Sequence, residues 1–183
     1  MHDGELLTRI TIWITMIAFA VGSATFALSQ KKVNWDSTAR WAWTAACLSL
    51  LAHVASAFTF FHGWSQDHAY RETARQTQEA FGLDWGGGLY VNYALLVLWT
   101  TDVIWWWLVG LEKYRRRPLA LVLVWQALLI FIFFNATFVF ATGFVRWAGL
   151  FMCLTLCVVW WLAMRNRNRN RNTLDENSQA WNQ

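Results

Sequence analysis

The sequence predicts an all-α fold: a polytopic membrane helical bundle of five transmembrane helices, with one short amphipathic helix in an outer loop. Three observations predict it. The first is five apolar runs, Ile10 to Leu28, Trp41 to Phe61, Leu89 to Leu111, Leu119 to Phe140 and Trp147 to Met164. Each is close to the roughly 20 residues a helix needs to cross about 30 Å of hydrocarbon. The second is the placement of the cations between those runs. The third is the 15 Trp residues, many of them at the ends of the runs, where aromatic belts form.

The cations set the orientation. Lys31, Lys32 and Arg40 lie between the first two runs, Lys113, Arg115, Arg116 and Arg117 between the third and fourth, and Arg165, Arg167, Arg169 and Arg171 after the last. On the other side are Arg9, Arg71, Arg75 and Arg146, so the split is eleven to four. Basic loops stay cytoplasmic. The expectation is a multi-pass protein of the plasma (inner) membrane, N-terminus outside and C-terminus in the cytoplasm. From Pro118 to Met164 the only charge is Arg146, and the stretch is too long for one span. Thr142, Gly143 and Arg146 mark its break. A four-span count would put basic loops on both faces.

The first run follows Asp3 and Glu5 rather than a basic region, so it reads as an uncleaved span and not as a signal peptide. It carries Thr8, Thr11, Thr15, Ala18, Gly22, Thr25 and Ser29 at steps of three and four; the second run repeats this with Ala42, Ala45, Ser49, Ala52, Ser56 and Thr59. Small seams let helices approach closely in lipid, so these spans form a tight antiparallel hairpin.

The outer loop, 62–88, contains the amphipathic helix. Ser65 suits its N-cap and Gly82 its C-cap. Ala69, Tyr70, Thr73, Ala74, Thr77, Ala80 and Phe81 share one face and His68, Arg71, Glu72, Arg75 and Glu79 the other. Gly86, Gly87 and Gly88 then permit a close re-approach to the bundle. Residues 1–164 form one membrane bundle. Residues 165–183, which repeat Arg-Asn from Arg165 to Asn172, read as a basic, polar cytoplasmic tail with no means of burying a core, disordered beyond its first turns.

The belt residues are Trp41, Trp43, Trp105 to Trp107, Trp160 and Trp161 on the inner side and Trp13, Trp64, Trp85 and Trp147 on the outer; Trp99 and Trp125 fall mid-span, as packing residues.

Chemistry inside the spans rests on few residues. Asp102 is the one carboxylate within a run, and such acids face the bundle interior or a water-filled cavity. Gln126 shares its depth, about 12 Å from the inner end at 1.5 Å per residue, so the two are expected to form an intramembrane polar pair. His53 lies on the seam side of the second span, between Ser49 and Ser56, and Asn135 nearly reaches its depth. His53 and Asn135 are the candidate cofactor contacts, for haem or a proton relay; the plainer reading is a neutral histidine bonded across helices. A bis-histidine haem site is not met, because no second histidine matches its depth.

In the loop, His62, His68 and Asp84, with Asp67, Glu72 and His2 near, are candidate transition-metal ligands, although no spacing is specific. Arg71 and Arg75 suit an anion or a solvated face. Cys47, Cys153 and Cys157 lie within spans and form no Cys-x-x-Cys pattern. No triad or phosphate loop appears, and no catalytic residue is named.

Two functions stay open: a small non-catalytic anchoring, assembly or sensing subunit, and a redox or metal/haem-dependent protein working at the outer face. The expected partners are anionic headgroups at the cytoplasmic face and other membrane subunits, not nucleic acid. The outer loop is expected to lid a cavity lined by His62, His68, Tyr90, Asn92, His53 and Asn135, and removal of Asn166 to Gln183 to be harmless.

Overall fold

A computed structural model of the chain describes residues 3–29, 33–139 and 143–181. These residues form six α-helices and no strand. Five helical stretches are long and apolar enough to cross a membrane: those of α1 (Asp3–Leu28), α2 (Val33–Ala57), α4 (Gly88–Arg115), α5 (Leu119–Phe134, which reaches span length as Leu119–Phe138 with the π-helical segment after it) and α6 (Phe144–Trp181). The protein is a multi-pass helical membrane bundle. The remaining helix, α3 (Gln66–Phe81), joins α2 to α4. The end of the bundle carrying α3 is the loop end; the end carrying Lys113 and Arg115 to Arg117 is the basic end. Short π-helical segments, Phe58–His62 and Asn135–Val139, extend α2 and α5. Lys31, Lys32, His2 and Thr142 lie outside the described residues.

α1 and α2 form the most extensive helix pair, in the antiparallel hairpin that their small residues predict. Gly4 sits against Phe60 and Gly22 against the Trp43 backbone. Between them, His53 Nδ1 lies 2.9 Å from the Thr8 carbonyl and Ser49 Oγ donates to the Thr11 carbonyl at 2.7 Å. A carbonyl only accepts, so His53 donates and carries its proton on Nδ1. The buried face of α2 is offset from the expected one: Ala39 and Ala46 are buried and Ala45 and Ala52 are exposed, whereas Ser56 is buried as expected. Trp43 is buried on the same face as Ala39 and Ala46.

The core lies mid-bundle and is aromatic. Phe19 stacks on Phe133 at 4.6 Å and meets Trp99 edge-on at 6.0 Å; Trp99 in turn contacts Trp43 at 5.1 Å. Aromatic pairs add about 0.5–1.5 kcal/mol each beyond burial, which matters in lipid, where apolar burial alone does not pair helices. Trp99 is fully buried and Trp125 packs on the core, as read from their depth. Trp41, Trp105, Trp107, Trp161, Trp64, Trp85 and Trp147 are exposed, as belt residues are. Trp43, Trp106 and Trp160 depart from the belt and turn inward. Two of the three have an interior acceptor for the indole N–H, Trp43 on Asp102 and Trp160 on Ser23; Trp106 instead stacks on Tyr114.

α3 has both expected caps. The Ser65 hydroxyl accepts from the His68 N–H at 3.2 Å, and Gly82 ends the helix at φ 73°. Ala69, Ala74 and Thr77 are buried, and the helix packs on the start of α4 and on the π segment after α2. α6 carries its helical backbone past Met164 through the Arg-Asn repeat to Trp181.

Candidate functional site

Asp102 sits on α4 and is buried. It accepts three hydrogen bonds: from Trp43 Nε1 at 2.9 Å, from the Tyr114 hydroxyl at 2.7 Å and from Arg117 Nη1 at 2.6 Å. Two of these donors follow Asp102 by 12 and 15 residues. On a straight helix, 12 residues would carry Tyr114 about 18 Å away. Gly110 removes that distance. Its φ of 73° and ψ of 172° break α4, and the turn beyond folds back along the helix. Tyr114 then stacks on Trp106 at 4.0 Å, nearly parallel, and the Arg117 guanidinium covers the Tyr114 ring at 3.4 Å. Pro118 stops the returning segment, because the residue before a proline avoids helical geometry.

The expected Asp102–Gln126 pair is therefore not what the structure forms. Gln126 Oε1 accepts from Ser23 at 2.8 Å, and Ser23 accepts from Trp160 Nε1 at 2.8 Å, which ties α5, α1 and α6 together. Equal depth did not bring the two side chains to one interface: Asp102 faces the fold-back and α2, and Gln126 faces α1. The expected approach of His53 to Asn135 does not occur either. His53 is held to α1, and Asn135 donates to the Phe131 carbonyl of its own helix at 2.8 Å. Polar side chains here reach the nearest backbone carbonyl rather than each other.

A second buried ion pair lies beside the first. Arg115 reaches Asp36 at the start of α2 through Nε at 2.7 Å, and its Nη2 bonds Asp36 and Ser29. Ser29 also donates to Asp36 at 2.8 Å. Between the fold-back, the start of α5, α6 and the end of α1 opens a cavity of about 890 Å³, within the range of about 300–1,000 Å³ usual for ligand sites. Phe26, Leu119, Val122, Trp160 and Met164 form its apolar wall. Its charged rim is Arg115, Arg116, Arg117 and Arg167 against Asp36 and Glu112. The cavity is at the basic end, opposite the expected lid. The fold-back that builds it left no periodic trace in the sequence; its signal is Gly110 placed just before a charged run.

At the loop end, the structure brings His62 and His68 together, with their Nδ1 atoms 3.4 Å apart. Asp84 is exposed. Among the described residues, no group of three or more His, Cys, Asp or Glu side chains assembles a metal site. Arg71 pairs with Asp67, and Arg75 with Glu72 at 2.6 Å and with Glu79, so the anion candidates are engaged on their own helix. The Arg75 hydrogen bonds pull the Glu72 carboxyl down to about 2, and Glu72 raises the Arg75 guanidinium in return. Cys47 contacts Thr100 at 3.7 Å, and all three cysteines are free thiols.

No known protein family, curated protein or solved structure matches the chain.

Proposed function

We propose that the protein is a small anchoring or sensing subunit of the plasma membrane whose working site is the cavity at the basic end. The observation that carries this reading is the cavity itself, an apolar wall of about the right volume for a ligand under a rim of four arginines. The polar groups within the spans support it. Asp102, through Trp43, and Gln126, through Ser23, each join one helix to another on the basic side of the bundle, so they hold the walls in place. The eleven-to-four division of cations supports a cytoplasmic basic end, with the loop end outside. Reporter fusions at Trp85 and at the C-terminus test the orientation; a C-terminus that reports outside refutes it. Filling the cavity with Ala163→Trp tests the site. It is expected to displace a co-purifying amphiphile and leave the helical content unchanged. An unchanged amphiphile content refutes the reading.

One observation favours a second reading, a metal-dependent activity at the loop end. The His62 and His68 Nδ1 atoms lie at hydrogen-bond distance, with the rings edge-on at 63°, and imidazole pairs suit Zn or Cu. Metal analysis and an absorption spectrum of the purified protein decide it: stoichiometric metal or a Soret band, lost on His68→Ala, establishes that reading, and no bound metal refutes it.

A further inference from the structure

We infer that the cavity at the basic end holds an anionic phospholipid, with the phosphate on Arg116 and Arg167 and an acyl chain along the apolar wall. The inference rests on the proposed function and names its ligand. The four rim arginines are not equivalent. Arg115 is bound to Asp36 and Ser29 and lies within hydrogen-bond reach of the Phe26 carbonyl. Arg117 is bound to Asp102 and to the Tyr114 carbonyl, with its face on the Tyr114 ring. Both build the wall. Arg116 has only an exposed pair with Glu112, one helical turn away, and such pairs hold weakly. Arg167 makes no hydrogen bond or ion pair to the described residues. These two guanidinium groups, one on the fold-back and one on α6, face the cavity from different elements.

Four arginines oppose two acids around this rim, so the site favours an anion. Guanidinium binds phosphate through paired N–H donors. A free phosphate would use the rim and leave the partly exposed Phe26, Leu119 and Met164 uncovered. A phospholipid uses both. Basic pockets between membrane helices take anionic headgroups in this way.

The test uses the full chain, stripped of lipid in mild detergent and titrated separately with phosphatidylglycerol, phosphatidylcholine and inorganic phosphate. Retained lipid is counted by native mass spectrometry, and the unfolding midpoint is followed. Phosphatidylglycerol is expected to be retained and to raise the midpoint, with phosphatidylcholine and inorganic phosphate far weaker. Arg116→Gln with Arg167→Gln is expected to weaken retention roughly thirtyfold, at about 1 kcal/mol per basic residue. Arg165→Gln, outside the cavity lining, is expected to leave it unchanged. Equal retention by the double variant overturns the inference, as does an equal response to phosphatidylcholine or to inorganic phosphate. If Ala163→Trp displaces an amphiphile that the double variant still keeps, the cavity reading stands and the anionic ligand falls. If neither variant changes any bound amphiphile, both fall.

Discussion

Asp102 and Arg117 are 15 residues apart in the chain and 2.6 Å apart in space, joined across a helix that breaks between them. An intramembrane acid is costly unless paired, and the pairing here is local to one span and its own return. Trp43 adds the single tie to α2. The arrangement fixes the basic end of α4 and shapes one wall of the cavity. Removing one partner leaves an uncompensated buried charge. Arg117→Ala or Asp102→Ala is expected to cost about 3–5 kcal/mol, while a double replacement by apolar residues of similar volume costs far less. Denaturant titration in detergent checks this. Single and double variants of equal stability would show that the pair carries no such weight.

Gly110 makes the return possible. Nothing lies within 4 Å of an added Cβ there, yet its φ of 73° excludes most side chains. Gly110→Ala is expected to cost about 1–3 kcal/mol from the backbone conformation alone, because a positive φ with ψ at 172° is almost confined to glycine. It also favours a straight helix, which separates Arg117 from Asp102. The effects of Gly110→Ala and Arg117→Ala are therefore expected to overlap, so that the double variant loses less than the sum. Strict additivity, measured by the same titration, would mean that the break and the ion pair are independent.

These two residues also show what the sequence made legible. The five spans, the pairing of α1 with α2 and both caps of α3 follow from periodicity and local chemistry, and the structure forms them, although the buried face of α2 is offset from its small-residue stripe. Asp102 was legible as a buried acid but not its partners, because depth along a helix carries no information about azimuth. Gln126 matched its depth and faces a different neighbour. Two of its three partners, Tyr114 and Arg117, lie beyond a helix break, in a basic stretch that reads first as a cytoplasmic loop. His53 was legible as a residue of the seam, where it stays. Its supposed reach to Asn135 ignored the Thr8 carbonyl, which lies closer. Trp43 and Trp160 resembled belt residues because position along the span does not say whether an indole N–H has an interior acceptor.

The glycine run after α3 behaves unequally. A Cβ on Gly86 would lie 2.4 Å from the Tyr70 carbonyl oxygen, in the backbone of α3. The atoms nearest a Cβ on Gly87 belong to the exposed Trp85 side chain, which can rotate away. Gly86→Val is therefore expected to lift α3 from α4 and Gly87→Val to be mild, although the sequence alone does not distinguish the three glycines. Protease cleavage within 66–81 measures the difference. Faster cleavage in Gly87→Val than in Gly86→Val would refute the packing argument.

The pH response of α3 follows from Glu72. Its carboxyl is held near 2 by the Arg75 hydrogen bonds, below its ordinary 4.5. A depressed acid stabilises the fold above its unfolded value and loses that contribution as pH falls through the folded one. The Glu72–Arg75 pair is thus expected to support α3 fully above about pH 4.5 and to weaken toward pH 2. Salt should diminish the effect, because the pair is near the surface. Hydrogen exchange of α3 amides, followed from pH 6 down to pH 2 at matched intrinsic rates, is expected to show this fall in the wild type and a smaller one in Glu72→Gln, where the Asp67–Arg71 and Glu79–Arg75 pairs remain. An identical fall in both would assign it to another group.

The tail divides at Arg167. Sequence alone treats everything after Arg165 as dispensable, since an Arg-Asn repeat shows no pattern that separates one cation from the next. The α6 helix gives them different surroundings: Arg165 lies over the Trp161 ring, whereas Arg167 lines the cavity. Truncation after Arg171 is expected to leave stability and phosphatidylglycerol retention unchanged. Truncation after Arg165 removes Arg167 and is expected to weaken retention roughly fivefold, the effect of one basic residue at about 1 kcal/mol. Arg167→Gln in the full-length chain should reproduce that loss, because the shorter chain differs also in helix length. Equal retention at both cuts would place the phosphate away from α6 and leave Arg116 to bind it without help from that helix.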